Sequence, residues 1–379
     1  MFSDNRKIRI CFMLHGAYPL FNPSCNGVFG GAEVNLYYLA VYLSKKGIYD
    51  IEFYVGDYGQ MDVEVYDNIR VRKIKYTNME KYNKIRYKML KSIYLAKILL
   101  TNKSDVIINS TASVLIGLIV LFSKFIRRKK VIFRISSDSN IDIKFIRKTQ
   151  GLKAYFLYKI GLYNSDVIVS QTEKQRDKLK DKLNLDSVLI KNGFIIDENV
   201  DLKQKKYILW VSRAVDMKRP ELFLRLAEEC PEEKFIIIMP GSDPVKDKCV
   251  NKAAELSNVE FLDYVQFFEI QKYFNNAKLF VNTSEFEGFP NSFIQACIAR
   301  TPILSFNVNP DNFLTENNIG FCCEDDFSRA VSFIKGLNEE KILIYGQNGL
   351  KYIKENHNIE VSASLYEEII NKLNFPTSN

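Results

Sequence analysis

Histidine is almost missing from this 379-residue chain, which has only His15 and His357. So few imidazoles disfavour histidine-rich metal sites and most histidine-based catalytic triads. The seven cysteines, at 11, 25, 230, 249, 297, 322 and 323, are odd in number and include no Cys-x-x-Cys pair. They fit a reducing compartment, by default the cytoplasm, better than a disulfide framework or a zinc site. Neither a Gly-x-Gly-x-x-Gly fingerprint nor an Asp-x-Asp metal motif occurs. The most apolar stretch, 112–125, is shorter than the roughly 20 residues that span a bilayer. The first residues pass directly into a strand-like run with no signal-peptide core. Short-period repeats and low-complexity tracts are absent too.

What is present is an ordinary globular composition, 47% hydrophobic and 26% charged, in a chain comfortable for two domains. The net charge of +8 is unevenly spread. Residues 1–200 carry 33 Lys/Arg against 19 Asp/Glu, and the remainder carries 20 against 26. A basic half joined to an acidic half predicts two domains, the first meeting an anionic partner.

Along the chain, short apolar runs alternate with helical patterns. Strands are predicted at Ile8–Leu14, Ile51–Val55, Ile69–Lys75 (as a half-exposed edge), Asp105–Asn109, Val131–Ile135, Asp166–Ser170 and Ser187–Ile190. Helical spacing runs over 35–46, 82–100, 112–125, 152–163 and 173–183. The polar segment Asp197–Lys206 reads as a linker. A second series follows, with strands at Tyr207–Val211, Lys234–Met239, Val259–Leu262, Lys278–Asn282, Ile303–Phe306 and Gly320–Cys322. Helices are predicted at 221–230, 291–298, 326–337, 340–355 and 361–373. Strands alternating with helices imply doubly wound α/β layers. The run 112–125 reads as a helix buried against the sheet. The other reading is monotopic, with the basic residues of 81–97 and 124–130 facing anionic lipid. Nucleic acid is a weaker partner, because no recognised module accompanies the basic residues.

Chemistry concentrates at three strand ends. Lys278–Asn282 leads through a turn containing Glu287, Gly288 and Pro290 into the helix from Asn291, whose first-turn N–H groups and dipole suit an anionic or hydroxyl-rich ligand. Glu287 and Gln295, eight apart, can face one pocket; alternatively both are solvated surface. Arg213 and Lys218 directly follow a strand, where basic side chains point into the crevice of an open α/β sheet and suit a diphosphate. Solvated charges are the bland alternative, although cations at a helix start oppose its dipole. Gly30 and Gly31 stand where the first strand hands over to the first helix, either as a phosphate-approaching turn or simply as a tight one. His15 ends the first strand, with a core or loop role as its plainer reading.

The order Gly30-Gly31-Ala32-Glu33, Asn192-Gly193, Arg213-x4-Lys218, Gly241, Glu287-Gly-Phe-Pro290 and Gln295-Ala296 resembles retaining glycosyltransferase family 4 over nearly the whole chain, most specifically from Tyr207 to Phe306. The resemblance implies the GT-B fold, two Rossmann-like domains facing across a cleft. They would be an acceptor-side domain over 1–200 and a nucleotide-sugar domain over 201–360, with a terminal helix in 361–379 packing back toward the first. It implies transfer of a sugar from a nucleotide-sugar to a glycan or polyprenyl-linked acceptor, as in surface polysaccharide assembly, with no metal or other cofactor expected in this fold; the cysteines and the basic first half add the expectation of a cytoplasmic enzyme peripheral to the inner membrane face. Arg213 and Lys218 would hold the diphosphate as leaving group, and Glu287 would contact the donor sugar. Backbone groups of Phe289, Pro290, Asn291 and Ser292 would line sugar and phosphate, Gln295 would meet the ribose, and Gly30, Gly31 and Gly241 would lie beside the donor. Gln295 stands in place of the family's second acid. Ser136, Ser137 and Asp138 stand where the family often has a histidine, so His15, Ser136 and Asp138 are further cleft candidates. Two other readings stay open: a catalytically silent GT-B-like partner subunit and a sugar-nucleotide epimerase.

Overall fold

A computed structural model describes residues 6–75, 84–110, 112–196 and 205–373, with side chains omitted for 84–89. Most of the expected linker 197–206 and the start of the expected helix 82–100 lie outside the described residues. The chain divides into two compact units, Met1–Gly193 together with Ile359–Asn379, and Phe194–Asn358.

The first unit is built on an eight-stranded sheet. Its strands are β1 (Ile8–Met13), β2 (Tyr49–Val55), β3 (Val63–Tyr66), β4 (Ile69–Lys73), β5 (Val106–Asn109), β6 (Lys130–Arg134), β7 (Val167–Ser170) and β8 (Val188–Leu189), in the order β3-β4-β2-β1-β5-β6-β7-β8. All neighbours are parallel except β3 and β4. Residues such as Ile107, Val131 and Phe133 are fully buried against helix residues including Tyr158 and Leu162, which is why these strands read as continuous apolar runs.

One sequence expectation needs correction here, and two gain detail. The strand from Ile69 is not the edge. Asp67 and Asn68 both take positive φ (48° and 65°), the geometry of a tight hairpin, and β3 folds back outside β4. The apolar run is helical as Val114–Leu118 but continues over Ile119–Ile126 as a π-helix. Its basic tail is also divided: Arg127 and Arg128 are exposed, whereas Lys124 pairs with Asp166 at 3.1 Å. Lys129 is turned inward to the Asn102 carbonyl and side chain, and burial pushes it down to about 8.

The terminal helix Ile359–Lys372 belongs to the first unit. Its Ser362 hydroxyl donates to the Lys191 carbonyl at 2.9 Å, and Glu367 accepts from the Tyr49 hydroxyl at 3.3 Å.

The second unit has six parallel strands: β9 (Tyr207–Val211), β10 (Phe235–Ile238), β11 (Val259–Leu262), β12 (Ala277–Asn282), β13 (Ile303–Ser305) and β14 (Gly320–Cys322). Their order is β11-β10-β9-β12-β13-β14. The first strand therefore lies between the second and the fourth, and the winding reverses between β9 and β12. In such sheets ligands bind outside the carboxyl ends of the two strands that flank the reversal. Trp210, Phe223 and Phe235 anchor one side of this unit's core.

Candidate functional site

Both strands at the reversal end in the loops that carry the predicted residues of this unit other than Gly241. β9 runs into a loop and a short 3-10 turn, Asp216–Lys218. Arg219 then takes φ 45° and caps the helix Pro220–Glu229, which starts on a proline already held at helical φ. β12 ends at Asn282 and continues through buried Thr283 and Ser284 into the turn before the helix Asn291–Ile298. The Asn282 side-chain oxygen accepts from the Ser284 N–H at 3.1 Å, a local turn that bends the chain out of the sheet.

The two loops are stitched together. The Glu285 N–H donates to the Met217 carbonyl at 3.0 Å, and the Thr283 hydroxyl donates to the Lys218 carbonyl while accepting from the Trp210 indole at 2.9 Å. Arg219 Nε donates to the Thr283 carbonyl at 2.7 Å, and its guanidinium also binds Asp325 at 2.6 Å. Of the three cations in this stretch, Arg219 is thus a structural stitch.

Lys218 is different. Its Nζ lies 2.8 Å from Glu287 Oε1, and both side chains are mostly buried, at 11% and 19% exposure. The same carboxylate oxygen accepts from Ser284 Oγ at 2.8 Å and Asn282 Nδ2 at 3.1 Å. Burial pulls the Glu287 pKa upward, but the Lys218 charge and the bonds from Lys218, Ser284 and Asn282 outweigh it and hold the carboxyl below its ordinary value. Glu287 is therefore an oriented carboxylate at neutral pH. An ammonium has three donors, and Glu287 takes one. Asn282 and Ser284 escaped the sequence reading, although polar residues ending a buried strand were the available signal.

Arg213 is exposed on the same loop, and its guanidinium has no ion pair among the described residues. Gly241, after β10, has φ 117°, and its carbonyl accepts from Lys246 Nζ at 2.8 Å. Phe289 is buried, its ring centroid 4.3 Å from that of His357 and 5.0 Å from that of Phe313. This aromatic anchor fixes the turn. Pro290 is the N-cap of the helix, with Asn291 and Ser292 in its first turn. Gln295 is half-buried in that helix; its carbonyl accepts from Gln271 Nε2 at 3.1 Å.

In the first unit, Gly30 caps the helix Gly31–Lys45, and its N–H donates to Glu33 Oε2 at 3.0 Å. His15 lies in a short 3-10 turn after β1, its ring against Gly56; desolvation, then Lys91, lowers its pKa. Ser136 is bonded through its N–H and hydroxyl to Asn140 Oδ1, each at 2.9 Å. Asp138 is held by Lys178 and by Gln175 Nε2 at 3.1 Å. Both side chains serve the loop after β6. Among the described residues, no group of three His, Cys, Asp or Glu could hold a metal ion, and no helix is long and apolar enough to cross a membrane.

Two family models divide the chain between them. Residues 29–198 match "Glycosyltransferase Family 4" and residues 192–356 match "Glycosyl transferases group 1". The chain belongs to glycosyltransferase family 4. A family relative by sequence is the poly(ribitol-phosphate) alpha-N-acetylglucosaminyltransferase of Staphylococcus aureus, 29% identical over 168 residues. That match covers 42% of this chain and about a third of the relative's length, 34%. Among solved structures, sucrose-phosphate synthase of Thermosynechococcus elongatus superposes with a TM-score of 0.78 at 15% identity, over 97% of this chain and 99% of that one. A TarM mutant of S. aureus, in complex with fondaparinux, alpha-GlcNAc-glycerol and UDP, gives 0.73 at 15% identity over 96% and 100%. HepE of Anabaena, in complex with UDP-glucose, gives 0.68 at 13% identity over 97% and 100%. The family 4 chain thus has the GT-B fold.

Proposed function

We propose that this glycosyltransferase moves a sugar, with retention of anomeric configuration, from a nucleoside diphosphate to a glycan or lipid-linked acceptor. The Lys218–Glu287 pair at the reversal point of the second sheet carries the reading. When the bond between the anomeric carbon and the diphosphate oxygen breaks, the electron pair leaves with the diphosphate and the sugar gains positive charge. The remaining donors of Lys218 and the guanidinium of Arg213, which has no ion pair among the described residues, suit the departing anion, and cations already in place lower that barrier. Glu287, held ionised by three donors, suits the sugar hydroxyls, and the first turn of the helix from Asn291 suits phosphate. Gln295 is assigned to the ribose. In the first unit, the Gly30–Gly31 turn is assigned to the diphosphate and acceptor. No metal or cofactor enters this scheme. Retention rests on the family resemblance.

Surface chemistry supports an anionic membrane as a resting place for the first unit. Phe145, Leu152 and Phe156 are exposed on the packed helices Ile143–Gln150 and Leu152–Asn164, with exposed Lys144, Arg147, Lys148 and Lys153 among them. Apolar side chains rimmed by cations are the composition of an interfacial surface.

Purified protein incubated with UDP-, GDP- and ADP-sugars should release the nucleoside diphosphate from one of them. No release or transfer from any, with donor binding indifferent to Arg213→Ala, refutes the proposal. Donor binding without turnover, unchanged by Gln295→Glu, would instead favour the silent partner subunit.

A further inference from the structure

The helix Asn291–Ile298 begins just after the Glu287 turn and ends at Ala299. Its eight residues rise about 12 Å. The chain then turns through Arg300, whose φ of 51° is costly for any side chain and free for glycine. The helix Glu339–Asn356 is pressed against this turn: a Cβ on Gly346 would stand 2.4 Å from the Arg300 carbonyl oxygen. Beside the turn lies a groove of about 540 Å³ lined by Arg300, Gln347, Leu350, Lys351, Lys354 and Glu355. Its charged lining is Arg300, Lys351, Lys354 and Glu355, and Lys354 already has a partner. Arg300 and Lys351 have no ion pair among the described residues. A fourth cation sits behind: Lys205 Nζ donates to the Ala299 carbonyl at 2.8 Å and to Thr301 Oγ1 at 2.9 Å, on either side of Arg300.

We propose that this groove binds the phosphates of an extended phosphate-bearing chain, with Arg300 as the fork and Lys351 as a point charge. A guanidinium grips two phosphate oxygens at once, and ammonium groups follow neighbouring charges. The groove exceeds many times the roughly 30 Å³ of one water, room for several linked groups. Buried Leu350 offers an apolar floor to the carbon atoms between them. A plainer role for Arg300, a cation at a helix C-terminus, leaves the strain unexplained, because glycine would make the turn without it. Strained residues cluster at functional sites, held there by their surroundings.

The proposal concerns binding alone and does not depend on the transfer reading. Its test uses the full chain, with short-chain inorganic polyphosphate and inorganic phosphate as probes in calorimetric titrations. Arg300→Gly relieves the backbone while removing the guanidinium, so it should melt at or above the wild-type temperature. Polyphosphate affinity should fall at least tenfold in Arg300→Gly and further with Lys351→Gln added, while nucleoside diphosphate affinity stays constant. A wild type that ignores polyphosphate, variants that bind it equally well, or a loss that follows Lys218→Ala instead would each overturn the proposal. Polyphosphate binding tighter than phosphate supports the extended chain. Equal affinities overturn that assignment in favour of free phosphate.

Discussion

Lys218 and Glu287 meet at 2.8 Å, on loops that follow adjacent strands on either side of the reversal in the second sheet. The contact has a pH signature. Glu287 is held below its ordinary value of 4.5, so above 4.5 the folded state enjoys the full pair. As pH falls through that range the unfolded chain protonates first, and the stabilisation is lost as pH approaches the lower folded value. Glu287→Gln should flatten this acid limb and, by leaving Lys218 without its carboxylate, cost about 3 kcal/mol at pH 7. Urea unfolding from pH 7 down to pH 3 measures both. An acid limb equally steep in the variant would show that the pair carries no such linkage.

Arg213 makes the opposite prediction, because it is exposed and has no ion pair among the described residues. Arg213→Ala should leave stability within about 0.5 kcal/mol. It should weaken nucleoside diphosphate binding by about 1.5 to 3 kcal/mol, the value of a charged hydrogen bond. Calorimetry against UDP, GDP and ADP, beside a thermal melt, separates the two. A falling melting temperature with unchanged affinity would make Arg213 a structural residue.

How much of this was legible before folding depended on how far each feature reached along the chain. The turn from Glu285 to Pro290 and the helix after it are local, written in an apolar run, a Gly-Pro-containing loop and helical spacing, and they stand at Asn291–Ile298 as read. The pairing of Lys218 with Glu287 is not local. It exists because β9 and β12 are neighbours, a fact of strand order that no window contains, and only the family resemblance put the two residues in one site. The edge strand β3 was missed because it is four residues long with Val63 and Val65 exposed. The helix Pro244–Ala254 was missed for a similar reason, since its buried face consists of Cys249 and Ala253, small side chains that give a weak apolar period. The change to π-helical winding at Ile119 is one that spacing alone does not announce.

Packing also gives a sharp test in the first unit. A Cβ on Gly117 would stand 2.2 Å from the Leu157 carbonyl oxygen, and one on Gly161 would stand 2.9 Å from the Gly117 nitrogen. The helices cross there backbone to backbone. Gly117→Ala should therefore cost about 3 kcal/mol or more through forced displacement. Gly47→Ala, at φ 74° with nothing within 4 Å, should cost about 1 kcal/mol from backbone strain alone. Urea midpoints of the two variants give the ranking, and a Gly117→Ala protein as stable as Gly47→Ala would mean that the helices separate easily.

The membrane reading is tested on the exposed face of Phe145, Leu152 and Phe156. Cations near an anionic surface contribute roughly 1 kcal/mol each, so flotation with anionic vesicles should be strong at low salt and fade as salt rises. Leu152→Glu with Phe156→Glu should cut vesicle binding at least tenfold without altering the melt, because both side chains are more than half exposed. Binding that survives the double change would move the contact to another face, and no binding by the wild type would remove it.

Gln295 is the residue at which this chain departs from its family, and its substitution separates a ribose contact from a general effect on the site. A carboxylate accepts from two hydroxyls with charge-assisted bonds, whereas the amide offers one oxygen of ordinary strength. If Gln295 meets the ribose, Gln295→Glu should tighten nucleoside diphosphate binding by about 1 kcal/mol, roughly fivefold. The donor KM should fall while kcat stays level, since ribose lies away from the reacting bond. Inorganic pyrophosphate, which lacks the ribose, should bind no better and somewhat worse, because a negative charge has been added near the first turn of the helix. Parallel titrations with pyrophosphate and nucleoside diphosphate read the difference directly. If both ligands weaken together, the position senses only charge, and the ribose must be held elsewhere.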